Sequence, residues 1–268
     1  MLKSRIIRLL SLAVLMGLVY FLFNTVRATY TPNLSVAPDS LVFTRGCVEP
    51  DSSCFRILLK FPVVQGKRAA RIQKMIAYDY LKLLSDSTKV KGVNQFKEVL
   101  TRLTESYDSA YVDYLSLFPG SNGILWYLNA DYDVLLNDGK VLTIQYRYED
   151  YLGGAHGMYG YHYQNIDLRK SRPLSLNDIV SNTKQFSELA EKLFKGRVGV
   201  DHLNGYWFEG GKFSLPREFG LSENGIVLHY NVYEIASFAD GDLVFEIPYS
   251  SMGGMLSKRF RYLAEEGK

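Results

Sequence analysis

Among the residues of this chain that could do chemistry, the most suggestive is His156. It sits in the run Gly153-Gly154-Ala155-His156-Gly157, directly after an alternating stretch that reads as a β-strand. Glycines on both sides permit positive φ and close approach of another group, which suits either a ligand loop or a tight strand connection. A histidine acting as general base needs an orienting carboxylate and a nucleophile or activated water. Glu149 and Asp150 are near in sequence, but strand alternation puts them on opposite faces. Glu234 lies among aromatic and small residues in a stretch between two strands, where accepting backbone hydrogen bonds is its expected role. Neither a Gly-x-Ser-x-Gly elbow nor a His-Glu-x-x-His pair occurs. The expectation is a histidine that shapes its loop, with no catalytic residue assigned. The alternative is a hydrolase in which His156 is the base and Glu234 or Glu149 orients it.

His162, His202 and His229 have no metal-ligand spacing, so no metal and no cofactor is expected. Cys47 and Cys54 are flanked by strand-like residues and would face one another across a hairpin neck. A disulfide is the natural pairing, since no further ligand for a metal is near.

The elements that must carry these residues read as follows. Strand-like stretches flank the cysteines, and amphipathic helices are expected over residues 67–84 and 94–114. A long hairpin turns at Asn137-Asp138-Gly139, with Trp126, Leu128, Ala130, Tyr132, Val134 and Leu136 on one face. It ends in the glycine-histidine run. A third strand covers 159–168, a helix runs from about 183 to 195, strands lie near 226–231 and 243–248, and a short helix starts near 250. Hairpins separated from helices point to an α+β fold of antiparallel sheet packed with amphipathic helices. The expected division is a tether at 29–38, a hairpin-and-helix part at 39–118 and a sheet part at 119–268.

The first 28 residues are expected to be a membrane-directing segment. Lys3, Arg5 and Arg8 precede an apolar run at 9–23, and the helix would enter the bilayer over residues 6–23. It is either a signal anchor or a cleaved signal peptide; the lack of a helix breaker before Pro32 favours the anchor. Both readings put the remainder outside the cytoplasm. The net charge of +3 includes those three residues, so nothing points to nucleic acid. At 47% hydrophobic residues, the chain can bury a sizeable core. Twenty tyrosines, dense between 146 and 163, serve cross-strand packing by default and partner binding wherever they lie exposed together.

The order of motifs resembles a known family. The glycine-histidine run, a Tyr/His strand, "PLSLNDIV" at 173–180, a segment at 213–241 containing "YEIASFADG", and "VFEIPYSSM" at 244–252 are similar to the RsiV-like extracytoplasmic domain. That family of unknown function occurs in a lysozyme-sensing anti-sigma factor and, in part, ahead of a peptidoglycan deacetylase domain. The resemblance spans roughly residues 36–260. It implies an exported α+β domain that binds a protein or glycan at the cell envelope, a lysozyme in one member. Neither sigma-factor signalling nor deacetylation is expected, since few residues precede the apolar run and little chain follows the family domain. Gly153, Gly154, His156, Gly157, Tyr159, Tyr161 and Tyr163 are the expected ligand-binding residues.

Overall fold

A computed structural model describes residues 34–47, 53–84, 93–119, 123–199 and 205–265. The expected membrane segment, most of the tether and His202 lie outside these residues. Among the described residues no helix is long and apolar enough to cross a membrane.

The fold is mixed α+β. Strand β1 (Ser35–Arg45) pairs antiparallel with β2 (Cys54–Gln65), whose alternation drives Phe55, Ile57, Leu59 and Phe61 into the core. Two amphipathic helices follow, α1 (Ala69–Leu83) and α2 (Val93–Leu117), and bury Ile76, Tyr80, Phe96 and Leu100 against that face. They are a crossover, because β3 (Leu125–Asn137) runs parallel to β2, a pairing no hairpin can make. Strands β4 (Val141–Tyr151), β5 (Met158–Asp167) and the two-residue β6 (Arg172–Pro173) complete a sheet in the order β1-β2-β3-β4-β5-β6.

The second sheet, β7 (Glu218–Leu221), β8 (Gly225–Tyr230) and β9 (Leu243–Pro248), is antiparallel. Before it come the one-turn α3 (Leu176–Ile179) and α4 (Thr183–Val198), whose Asn182 cap accepts from Gln185 N–H at 3.1 Å. Phe186, Ala190 and Phe194 of α4 bury a second core against this sheet.

Several expectations are corrected. Strand β1 begins at Ser35, so residues 35–38 belong to the sheet instead of the tether. The parts on either side of 118/119 contribute to a single sheet, in which β3, β4 and β5 share a core with β1 and β2. A register shift between Val134 and Leu136 inserts one residue and turns Leu136 away from Trp126, Leu128 and Ala130, into the second core. The short helix expected near 250 is a series of 3₁₀ turns, Tyr249–Ser251, Gly253–Met255 and Arg261–Ala264, in a glycine-containing stretch that cannot sustain an α-helix.

Cys47 and Cys54 are disulfide-bonded across the β1/β2 turn. Closing so short a loop contributes about 2 kcal/mol through the unfolded chain. Reduction is expected to lower the unfolding free energy by that amount and so shift the whole transition to lower denaturant, and equilibrium unfolding with and without reductant checks it.

The outer edge of β5 joins the two parts. Asn231 accepts from the Tyr161 N–H (2.7 Å) and donates to its carbonyl (2.8 Å), imitating a neighbouring strand. Glu218 accepts from the Tyr163 N–H at 2.8 Å. These contacts occupy backbone groups that an exposed edge would offer to other chains.

Candidate functional site

Residues 152–157 connect β4 to β5. Gly153 and Gly154 have φ of +91° and +103°, a region that side-chain-bearing residues avoid, and Tyr151 Oη donates to the Gly154 carbonyl at 2.9 Å. Gly157 answers a different need: a Cβ there would lie 2.5 Å from the Asp150 carbonyl oxygen and 3.2 Å from Tyr127 Oη. Gly157→Ala is therefore expected to cost about 2 kcal/mol and to displace the loop, as a lowered melting temperature would show.

This geometry holds His156 at the surface. Its Nδ1 is 2.8 Å from the Gly157 carbonyl, which can only accept, so Nδ1 carries the proton and Nε2 is left as an acceptor, 3.5 Å from Tyr233 Oη. The imidazole stacks on Phe238, with centroids 4.3 Å apart and planes at 27°. Phe238 in turn meets the edge of Tyr159 and the tilted ring of Tyr233, both at 5.8 Å. Two stretches about eighty residues apart in sequence, 153–157 and 233–241, thus form one aromatic surface. Tyr233 is 48% exposed and holds φ at +64°, a strained conformation for a tyrosine.

The carboxylates expected to orient a histidine base are engaged elsewhere. Glu234 accepts from Arg217 N–H (2.9 Å) and Asn231 N–H (3.0 Å), which fixes the turn carrying Tyr233. Glu149 accepts from Asn129 Nδ2 (3.0 Å) and pairs with Arg147 (3.1 Å). Among the described residues no cluster of three or more histidine, cysteine, aspartate or glutamate side chains could hold a metal ion.

The expected tyrosines divide. Tyr159, Tyr161 and Tyr163 alternate onto the face of β5 that meets the second sheet. Tyr163 is buried there, whereas Tyr159 and Tyr161 are half-buried. Packing is the main use of the inner two: Tyr161 lies 4.4 Å from the His229 ring, and Tyr163 Oη bonds His229 Nδ1 at 2.8 Å. His229 is 1% exposed, and its Nε2 is 2.9 Å from Asp242 Oδ2 but off the line of its N–H. Burial lowers the His229 pKa against the opposing charge of Asp242, so the ring is neutral at neutral pH. Asp242 also accepts from Tyr159 Oη at 3.1 Å, tying the buried histidine to the aromatic surface.

His162 differs. Its Nδ1 is 3.1 Å from Glu218, and its Nε2 is 3.9 Å from Asp79 of α1. Burial works against its charge, but the two carboxylates outweigh that penalty and push its pKa up to about 9. It is a cation clamped between the helix layer and the second sheet.

Tyr233, Phe238 and Asp242 were not among the expected site residues. The signal for the first two is the aromatic content of the 233–241 stretch, which surrounds the more conspicuous carboxylate of Glu234.

Residues 176–250 match the family model described as a protein of unknown function, DUF3298, and residues 48–159 match that of deacetylase PdaC. No curated protein matches the chain. A crystal structure of a DUF3298 family member from Bacteroides fragilis superposes with a TM-score of 0.68 at 21% identity, covering 89% of this chain and 99% of that one. A DUF3298 family protein from Pseudomonas aeruginosa PAO1 gives 0.57 at 18% identity, over 84% and 96%. The chain therefore has the fold of these DUF3298 proteins and is similar over residues 176–250 to an uncharacterised domain family and over residues 48–159 to deacetylase PdaC.

Proposed function

We propose that this chain is an exported binding module of the bacterial cell envelope, held at the membrane by its N-terminal apolar segment, and that it captures a protein partner of the lysozyme kind. The observation that carries the reading is the aromatic surface in which exposed His156 and Tyr233 and half-buried Phe238 come together from two distant stretches. Exposed aromatic side chains on preorganised loops are the usual anchors of protein recognition. The loops are preorganised here by the Glu234 turn, the Asn231 contacts to β5 and the Asp242 contact to Tyr159. The disulfide is compatible with an oxidising compartment, and the likeness to deacetylase PdaC supports an envelope setting.

The test uses the purified full-length chain titrated calorimetrically with hen egg-white lysozyme, alongside an assay for release of product from peptidoglycan fragments. Saturable binding without turnover is expected. Product release that disappears with His156→Ala would overturn the reading in favour of a hydrolase.

A further inference from the structure

The two faces of the six-stranded sheet have different fates. One is covered by α1 and α2; the other is covered by β7 toward the end that carries Leu136, Thr143 and Tyr163, and over β5 by His229 and Phe238 against Tyr161 and Tyr159. The part over β2, β3 and β4 holds a depression of about 170 Å³ lined by Leu58, Asn129, Ala130, Asp131, Arg147 and Glu149. Strand register explains the grouping. Leu58 pairs with Asn129, Asn129 with Glu149, and Asp131 with Arg147, so their outward side chains form two adjacent rows across β2, β3 and β4.

The charges of these rows are already matched. Lys60 pairs with Asp131 at 2.6 Å and Arg147 with Glu149 at 3.1 Å, leaving no net charge to hold an ionic ligand. Hydrogen-bonding capacity is not exhausted. Each carboxylate offers about four acceptor sites and a guanidinium five donors, of which these contacts use a fraction, while the Asn129 amide donates to Glu149 and holds that carboxylate in place. Carboxylates that accept and a guanidinium that donates, around an apolar floor supplied by Leu58, complement hydroxyls flanking a hydrocarbon ring face. One row along the strands, about 7 Å away by strand geometry, the Tyr127 and Tyr151 rings stand 6.4 Å apart and offer stacking faces to a next ring. The depression is smaller than the several hundred cubic ångströms that enclose a whole drug-sized ligand, which suits one ring of a longer chain.

We propose that the sheet face over β2, β3 and β4 binds a neutral oligosaccharide, with one sugar ring seated between Asn129, Arg147 and Glu149 and a neighbouring ring against Tyr127 and Tyr151. This extends the recognition reading to a second surface, and the two can fail separately, because Phe238→Ala disables one and Asn129→Ala the other.

The experiment titrates the full-length chain with cellotetraose and with an N-acetylglucosamine tetramer, at low and high salt, following backbone amide shifts. Saturable binding of at least one is expected, weakened about tenfold by Asn129→Ala and by Glu149→Gln, unaffected by Phe238→Ala and insensitive to salt. Glu149→Gln keeps the side-chain shape and serves alone if Asn129→Ala shifts the melting temperature. Absence of saturable binding to both sugars, binding untouched by these substitutions, or binding that collapses at high salt would overturn the proposal.

Discussion

Raising the pH through about 9 is expected to destabilise this protein by about 3 kcal/mol, and His162→Gln to abolish that dependence. The folded-state pKa of His162 lies near 9 against an ordinary 6.5. The folded chain therefore holds a proton that the unfolded chain releases earlier, and at about 1.4 kcal/mol per pKa unit the difference amounts to roughly 3 kcal/mol. With a raised pKa, this stabilisation is complete below pH 6.5 and is lost as pH rises through the folded value. The structural cause is the position of the ring between Asp79 and Glu218, two carboxylates on different layers that would otherwise face each other without a cation. Urea unfolding across this pH range checks it; an unchanged profile in His162→Gln would assign the dependence to another group. His229 has the opposite sign. Its lowered pKa makes the folded chain resist protonation, so its contribution is complete above 6.5 and erodes as pH falls below that value.

Removing one ring from the aromatic surface is expected to cost at least tenfold in affinity for the captured protein. Phe238→Ala is the most damaging single change, because that ring touches His156, Tyr159 and Tyr233 together. Central aromatic anchors of this kind cost about 2 kcal/mol or more when truncated, while rim residues cost little. Phe238 belongs to a one-turn 3₁₀ element, Phe238–Asp240, closed by a Ser237/Asp240 capping box that the substitution leaves in place. Unfolding should therefore remain near wild type while binding is lost. Equal losses of stability and affinity would instead make Phe238 a packing residue.

Much of the scaffold is legible in the sequence because its signals are local. The 3.6-residue spacing of Ile72, Ile76 and Tyr80, and of Phe96, Leu100 and Leu103, locates α1 and α2 to within a few residues, and Asn137-Asp138-Gly139 locates the β3/β4 turn. The parallel pairing of β2 with β3 is not legible, since strand partners across a long helical crossover leave no local mark. The inserted residue before Leu136 is hidden as well: apolar alternation looks the same whether a side chain enters the first core or the second. The candidate site was half visible. Glycines announce the His156 loop, but its partners lie about eighty residues away, and only folding shows that Phe238 and Tyr233 lie beside His156 while Glu234 is consumed by its own turn. His162 and His229 look alike in sequence, each among strand residues, and separate only through what burial places beside them.

In the proposed function, residues 153–159 and 233–241 form one recognition surface. Hydrogen exchange of the full-length chain, free and saturated with hen egg-white lysozyme, tests it most directly. Protection concentrated in these two stretches together is expected, with Phe238→Ala removing it from both. Protection confined to one stretch, or absent from both while lysozyme remains bound, would contradict it.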